Sequence, residues 1–111
     1  NYLSLEREME IILAKNKNFN NPKGKEKIDN MIKVAKLTRK GIMAGDISTV
    51  MSPRTVLHWA DNTNIFKDHG YAFRVTFLNK CDDLEKKIIS EYYQRCFGED
   101  LPESSVNVTI T

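Results

Sequence analysis

Helix start and stop signals recur along this sequence, and they constrain its fold more than any other feature. Ser52 precedes Pro53, a pairing typical of a helix start, because the serine hydroxyl caps an orphaned N–H and proline suits the first helical position. Gly45 and Gly98 each follow apolar residues at helical spacing, where glycine commonly ends a helix in the left-handed conformation. The pattern predicts an all-α fold, a small helical bundle of four to five helices with a short extended C-terminal tail.

The first predicted helix begins at Ser4. Its acidic residues suit the positive end of the helix dipole: Glu6, Glu8 and Glu10. Its apolar residues recur at helical spacing and predict the buried stripe: Leu5, Met9, Ile12 and Leu13. Residues 15–24 are rich in Asn, Lys, Pro and Gly, and we expect them to form an exposed loop.

A second helix is predicted over residues 25–44. One side of it is apolar and comprises Ile28, Met31, Ile32, Ala35 and Ile42. The basic residues are expected on its solvated side: Lys33, Lys36, Arg39 and Lys40. A basic helix can bind nucleic acid, but no aromatic side chains that would stack on bases lie among these cations. Because the net charge is also only +2, we predict no nucleic-acid partner.

A third helix is predicted over residues 53–65, and the stretch after it is ambiguous. Residues 71–78 alternate aromatic and β-branched side chains as a strand would. No second stretch nearby could pair with such a strand, and an unpaired strand leaves its backbone groups unsatisfied. We therefore predict that residues 71–80 are helical.

The last helix is expected to begin with a capping box formed by Asp82 and Glu85 and to end at Gly98. Its predicted apolar face comprises Leu84, Ile88, Tyr92 and Cys96, with Ile89 and Tyr93 beside it. Beyond it, residues 99–111 form the predicted tail.

The reactive side chains do not form a recognisable catalytic or metal-binding pattern. Cys81 and Cys96 form no C-x-x-C pair and have no histidine at ligand spacing, so no metal site is predicted. Two reduced thiols in a cytoplasmic protein are the preferred interpretation, with a disulfide between them as the alternative. His58 and His69 have no acid or nucleophile in register and are interpreted as structural or surface residues. No apolar run is long enough to span a bilayer, so no membrane partner is predicted.

Arg54 is the residue that fits its local position least well. It places a permanent cation in the first turn of the third helix, where the dipole is already positive. This misfit suggests a nearby anion, because free N–H groups, the dipole and a guanidinium fork together suit a phosphate. The alternative is that Arg54 extends into solvent or pairs with a carboxylate such as Asp46 or Asp61. Ser52 has no base partner, so we interpret it as a cap and not as a nucleophile.

Long strings around this motif resemble a known family. They include residues 48–55 (STVMSPRT), 76–82 (TFLNKCD), 93–98 (YQRCFG) and 101–104 (LPES). The strings are similar to the C-terminal helical lid of the AAA+ ATPase subunits of aerobic cobaltochelatases. Those subunits are related to MoxR-type ATPases and to the magnesium-chelatase motor subunit. The resemblance extends over nearly the whole chain.

The resemblance implies that Arg54 is the sensor-2 residue, which reaches from the lid to the nucleotide phosphates. Ser52 and Pro53 would form the helix start that positions it. Residues 1–111 would form a single lid domain, with residues 1–3 ending the preceding ATPase core. The chain contains no G-x-x-x-x-G-K-[ST] phosphate loop, so ATP and magnesium would be bound mainly by that upstream core. No catalytic residue is expected in this chain, which alone should be inactive.

By the same resemblance, the whole subunit would assemble with copies of itself into a cytoplasmic ring and bind the other cobaltochelatase subunits. ATP would drive cobalt insertion into hydrogenobyrinic acid a,c-diamide in cobalamin biosynthesis, with cobalt as a substrate that is not bound here. Two alternatives remain at this point. One is the lid of another MoxR-type chaperone for metal-cofactor assembly, and the other is a free-standing helical adaptor.

Overall fold

The computed structural model describes residues 4–101, which form five α-helices. In chain order these are α1 (Leu5–Lys15), α2 (Pro22–Ala44), α3 (Pro53–Phe66), α4 (His69–Thr76) and α5 (Asp83–Phe97). Two short 3-10 turns, Lys17–Phe19 and Leu78–Lys80, precede α2 and α5. No strand occurs within the described residues. The all-α prediction of four to five helices is therefore confirmed, whereas most of the predicted tail, from residue 102 on, lies outside the described residues.

The helix boundaries follow the capping signals in the sequence. The Ser52 hydroxyl accepts a hydrogen bond from the Thr55 N–H at 3.2 Å, as expected for an N-cap. Ser4 caps α1 in the same way through the Arg7 N–H. Gly45 and Gly98 end α2 and α5 with φ values of +82° and +70°, which glycine adopts without strain. These four predicted helix ends are confirmed.

Residues 71–80 are helical, as predicted from the lack of a pairing partner. They continue α4 and then form the second 3-10 turn. Their aromatic residues enter the core, where the ring centroids of Phe73 and Trp59 lie 4.6 Å apart. The Trp59 indole N–H donates to the His69 carbonyl at 2.8 Å, which ties α3 to the start of α4. Trp59, Phe73 and Tyr93 are fully buried, so an aromatic cluster from α3, α4 and α5 forms much of the core.

The polar stretch between α1 and α2 is not the fully exposed loop that its composition predicted. Phe19 is buried, and α2 already begins at Pro22. Asn16 is also buried, because its side-chain amide donates to the Ile12 carbonyl and its oxygen accepts from the Asn64 amide. The prediction failed because asparagines can form hydrogen bonds to distant elements as well as turns.

The last helix begins where predicted, with Asp82 in the N-cap position before Asp83, but two details of the prediction were wrong. Asp82 makes no side-chain capping bond, and the Glu85 carboxylate instead accepts from the Ser48 N–H and hydroxyl at 3.1 and 2.7 Å. Leu84 is 83% exposed, whereas Ile89 and Tyr93 are fully buried. At about 3.6 residues per turn, Leu84 lies on the side of α5 opposite Tyr93, so packing of Tyr93 into the core turns Leu84 toward solvent.

Candidate functional site

The start of α3 presents Arg54 to solvent. Arg54 is exposed, and within residues 4–101 it forms no hydrogen bond or ion pair. The pairing with Asp46 or Asp61 considered from the sequence is therefore not formed. Ser52 and Pro53 are the N-cap and first residue of the helix, which leaves Arg54 in the first turn near the positive end of the dipole. The guanidinium remains available for an external anion.

Arg54 borders an open groove between α1 and α3. The groove has a volume of about 510 Å³ and is lined by Ile11, Lys15, Pro53, Arg54, Leu57, His58 and Asp61. Lys15 brings a second basic side chain to the groove from the end of α1. Asp61 is the only carboxylate among the described residues that line the groove. The balance of charge at the groove suits an anionic ligand or surface.

Sequence reasoning missed Lys15, which it placed in the exposed loop. Lys15 is far from Arg54 in sequence, and no local motif joins the two residues. His58 was interpreted as a structural or surface residue and is exposed at the edge of the same groove. Only the packing of α1 beside α3 brings these side chains together.

An ion pair between α1 and α2 lies beneath the start of α3. The Arg39 guanidinium donates to both carboxylate oxygens of Glu8 at 2.9 and 3.0 Å. Arg39 is 7% exposed and Glu8 only 1% exposed, so the pair is shielded from water. The prediction that placed Arg39 on the solvated side of α2 was wrong. That position is covered by α1 and by residues 45–52, the link between α2 and α3.

The same arginine holds the backbone just before α3. Arg39 Nε donates to the Met51 carbonyl at 2.9 Å. The Met51 N–H donates to the Thr38 hydroxyl at 3.0 Å, and that hydroxyl donates in turn to the Ala35 carbonyl. The Met51 side chain is also fully buried. The backbone of Met51 is therefore bound by α2, and its side chain packs in the core.

The link between α2 and α3 has a second anchor at Ser48. The two hydrogen bonds from Ser48 to Glu85 tie the link to the start of α5. These bonds favour the carboxylate and lower the pKa of Glu85. With Met51 held by α2, the segment that leads into Ser52 and Arg54 is fixed at both Ser48 and Met51.

The other reactive residues lie away from the Arg54 groove. Cys81 and Cys96 are free thiols, and burial raises the pKa of each. His69 stacks on Phe97 with ring centroids 4.7 Å apart, and burial lowers its pKa. Neither cysteine nor His69 lines the groove that contains Arg54. Their surroundings indicate packing roles.

Residues 4–101 lack two features. In this part of the chain, the His, Cys, Asp and Glu side chains form no group of three or more that could hold a metal ion. None of its helices is both long enough and apolar enough to cross a membrane.

The chain is similar to a protein of known role. It is 52% identical over 110 residues to the aerobic cobaltochelatase subunit CobS of a Sinorhizobium species. The match covers 99% of this chain and 33% of that relative, so the chain spans about a third of the relative's length. No family model matches the chain, and no solved structure does so. The predicted resemblance to aerobic cobaltochelatase subunits is thereby confirmed, and it extends over nearly the whole chain.

Proposed function

We propose that this chain is the C-terminal helical lid of the AAA+ ATPase subunit of an aerobic cobaltochelatase, and that Arg54 binds the phosphates of ATP. The observation that carries the proposal is the exposed, unpaired Arg54 at a capped helix start, within a string that resembles the sensor-2 motif of that family. The 52% identity to a CobS subunit supports the assignment to a cobaltochelatase in preference to another MoxR-type ATPase.

The chemistry of Arg54 suits this role. Its planar guanidinium can donate two parallel hydrogen bonds to phosphate oxygens, and its charge persists at all physiological pH values. The free N–H groups of the first turn and the helix dipole add to the positive potential. Lys15, across the groove, adds a second cation at longer range. Closure of the lid over bound ATP would place Arg54 and the first turn of α3 where negative charge develops during hydrolysis.

The residues described here do not fit a complete site for ATP and magnesium. The sequence has no phosphate loop, and its described carboxylates form no metal-binding group. An open groove with one guanidinium would leave most of a nucleotide solvated, whereas ligand sites normally enclose it. We therefore assign the phosphate cradle, the magnesium ligands and the activation of water to the part of the subunit outside this chain. No catalytic residue is assigned here.

At the level of the whole subunit, the proposal comprises a cytoplasmic ring that binds the other cobaltochelatase subunits. ATP hydrolysis in the ring would drive insertion of cobalt into hydrogenobyrinic acid a,c-diamide during cobalamin biosynthesis. Cobalt is a substrate of the assembled enzyme in this scheme. Residues 1–111 act as one lid that couples its position to the nucleotide.

The test is to replace Arg54 with alanine in the complete subunit and measure ATP affinity and cobalt-dependent ATP turnover. Some ATP binding should persist, because the phosphate loop is intact. Turnover should fall by roughly 100-fold or more, as expected for the loss of a preorganised electrostatic group. Arg54→Lys should restore only part of the activity, because an ammonium lacks the planar fork.

The matched control is Arg95→Ala, which removes another exposed arginine, one that lines a different groove on α5. This variant should retain turnover close to that of the parent. Full turnover by a folded Arg54→Ala subunit would show that Arg54 is only a surface residue and would refute the proposal.

A further inference from the structure

We propose that Glu8 and Arg39 are positioning residues that set the location of Arg54 for nucleotide binding. This inference rests on the proposed function of Arg54 as a phosphate ligand. The two residues do not border the Arg54 groove themselves. They act through the backbone of Met51, which lies three residues before Arg54.

The Met51 backbone is anchored through both of its polar groups. Its carbonyl accepts from Arg39 Nε at 2.9 Å, and its N–H donates to Thr38 at 3.0 Å. Met51 immediately precedes the N-cap Ser52, so its position sets where α3 begins. A movement of Arg39 would carry the first turn of α3, and Arg54 with it.

The orientation of the Arg39 guanidinium is fixed in turn by Glu8. A guanidinium can make several bonds at once only if its plane is fixed, and Glu8 fixes that plane through both η nitrogens. Glu8 belongs to α1, which also contributes Ile11 and Lys15 to the Arg54 groove. The ion pair thus sets the start of α3 relative to the helix that forms the other wall.

Stability alone is a poor explanation for the ion pair between Glu8 and Arg39. Desolvation offsets most of the Coulombic attraction of a buried ion pair, and well-packed apolar side chains of similar volume often stabilise a fold as well or better. What apolar residues do not provide is a directional bond to the Met51 carbonyl. A misplacement of about 1 Å can slow an enzyme by roughly 100-fold, so geometry of this kind matters for turnover.

The experiment is a double-mutant cycle between Arg39→Lys and Arg54→Ala in the complete subunit. The measured quantities are kcat and KM for cobalt-dependent ATP turnover, with thermal denaturation as the check on folding. Lysine keeps the charge near Glu8 but cannot bind the Met51 carbonyl and both carboxylate oxygens in one plane. Arg39→Lys alone should lower kcat by roughly 10-fold. In the Arg54→Ala background it should lower kcat no further, because the residue that it positions is absent.

Glu8→Gln can be combined with Arg54→Ala in a second double-mutant cycle, because glutamine keeps the shape and one acceptor oxygen of glutamate. It should show the same dependence on Arg54, and it replaces Arg39→Lys should that variant fail to fold. Lys40→Met, at an exposed neighbouring position on α2, is the matched control and should leave kcat unchanged in both backgrounds.

The outcomes separate the two proposals. If Arg54→Ala slows turnover but Arg39→Lys and Glu8→Gln slow it equally in both backgrounds, the pair is merely structural and the positioning inference is overturned. The same holds if both variants fold and leave kcat unchanged. If Arg54→Ala itself retains full turnover, the proposed function fails, and this inference fails with it.

Discussion

Replacing Glu8 with leucine is expected to destabilise the 111-residue chain by about 3–5 kcal/mol. The reason is that the substitution removes the buried carboxylate that accepts from two nitrogen atoms of Arg39. With Arg39 only 7% exposed, water cannot replace the lost acceptors without rearrangement of the fold. For a chain of this length, each kcal/mol corresponds to a shift of about 4 °C in Tm, so Tm should fall by about 12–20 °C.

The double variant Glu8→Leu with Arg39→Met should recover much of this loss, because it removes both charges and fills the space with apolar groups. Recovery should be incomplete. The Met51 carbonyl loses the Arg39 donor in the double variant, and an unsatisfied buried acceptor costs about 1–3 kcal/mol. Urea denaturation monitored by circular dichroism gives the free energy of unfolding for all variants, provided that the m-values agree.

Glu10→Leu is the matched control. Glu10 forms an ion pair with Arg7 in which both side chains are about two-thirds exposed, and such pairs contribute about 0–1 kcal/mol. A loss below about 1 kcal/mol for Glu8→Leu, similar to that of the control, would refute the reasoning. Glu8 would then behave as a solvated residue.

Four further substitutions test individual features of the fold. Gly24→Ala should lower the free energy of unfolding by about 1–3 kcal/mol, because the new Cβ would overlap the Phe19 backbone. Gly45→Ala meets no neighbouring atom and is opposed only by its positive φ, so it should lower that free energy by about 1 kcal/mol. Trp59→Phe should cost about 1–3 kcal/mol, because the His69 carbonyl loses its indole donor; an unchanged free energy of unfolding would contradict that bond. Burial lowers the pKa of His69 from 6.5, so the unfolded chain binds more protons and stability should fall as the pH drops below about 6.5. His69→Phe should lessen that fall, and an identical pH dependence would exclude His69 as its source.

Much of the fold could be predicted from the sequence because its helix ends carry local signals. A cap such as Ser52 and a left-handed glycine such as Gly45 act within a few residues, so their effects can be read without the tertiary structure. The helical assignment of residues 71–80 followed from the absence of a pairing partner. The rotation of α5 could not be predicted, because it depends on which face meets the core, and that choice buries Tyr93 and exposes Leu84.

The candidate site also contains residues that could be predicted and residues that could not. Arg54 could be predicted, because its charge conflicts with its place in the helix and its motif resembles a known one. Lys15 is not visible, since no local pattern relates it to α3. Arg39 was interpreted as a solvated charge, as such residues usually are, and Glu8 only as a carboxylate that suits the helix dipole. Their pairing spans 31 residues and arises only when α1 packs against α2.

The most direct test of the account is a structure of the complete subunit with magnesium and a non-hydrolysable ATP analogue. We expect the Arg54 guanidinium to lie about 2.7–2.9 Å from a phosphate oxygen, with Arg39 still bound to the Met51 carbonyl. Phosphates bound by other residues alone, with Arg54 in solvent or paired with a carboxylate such as Asp61, would contradict the proposed role of Arg54.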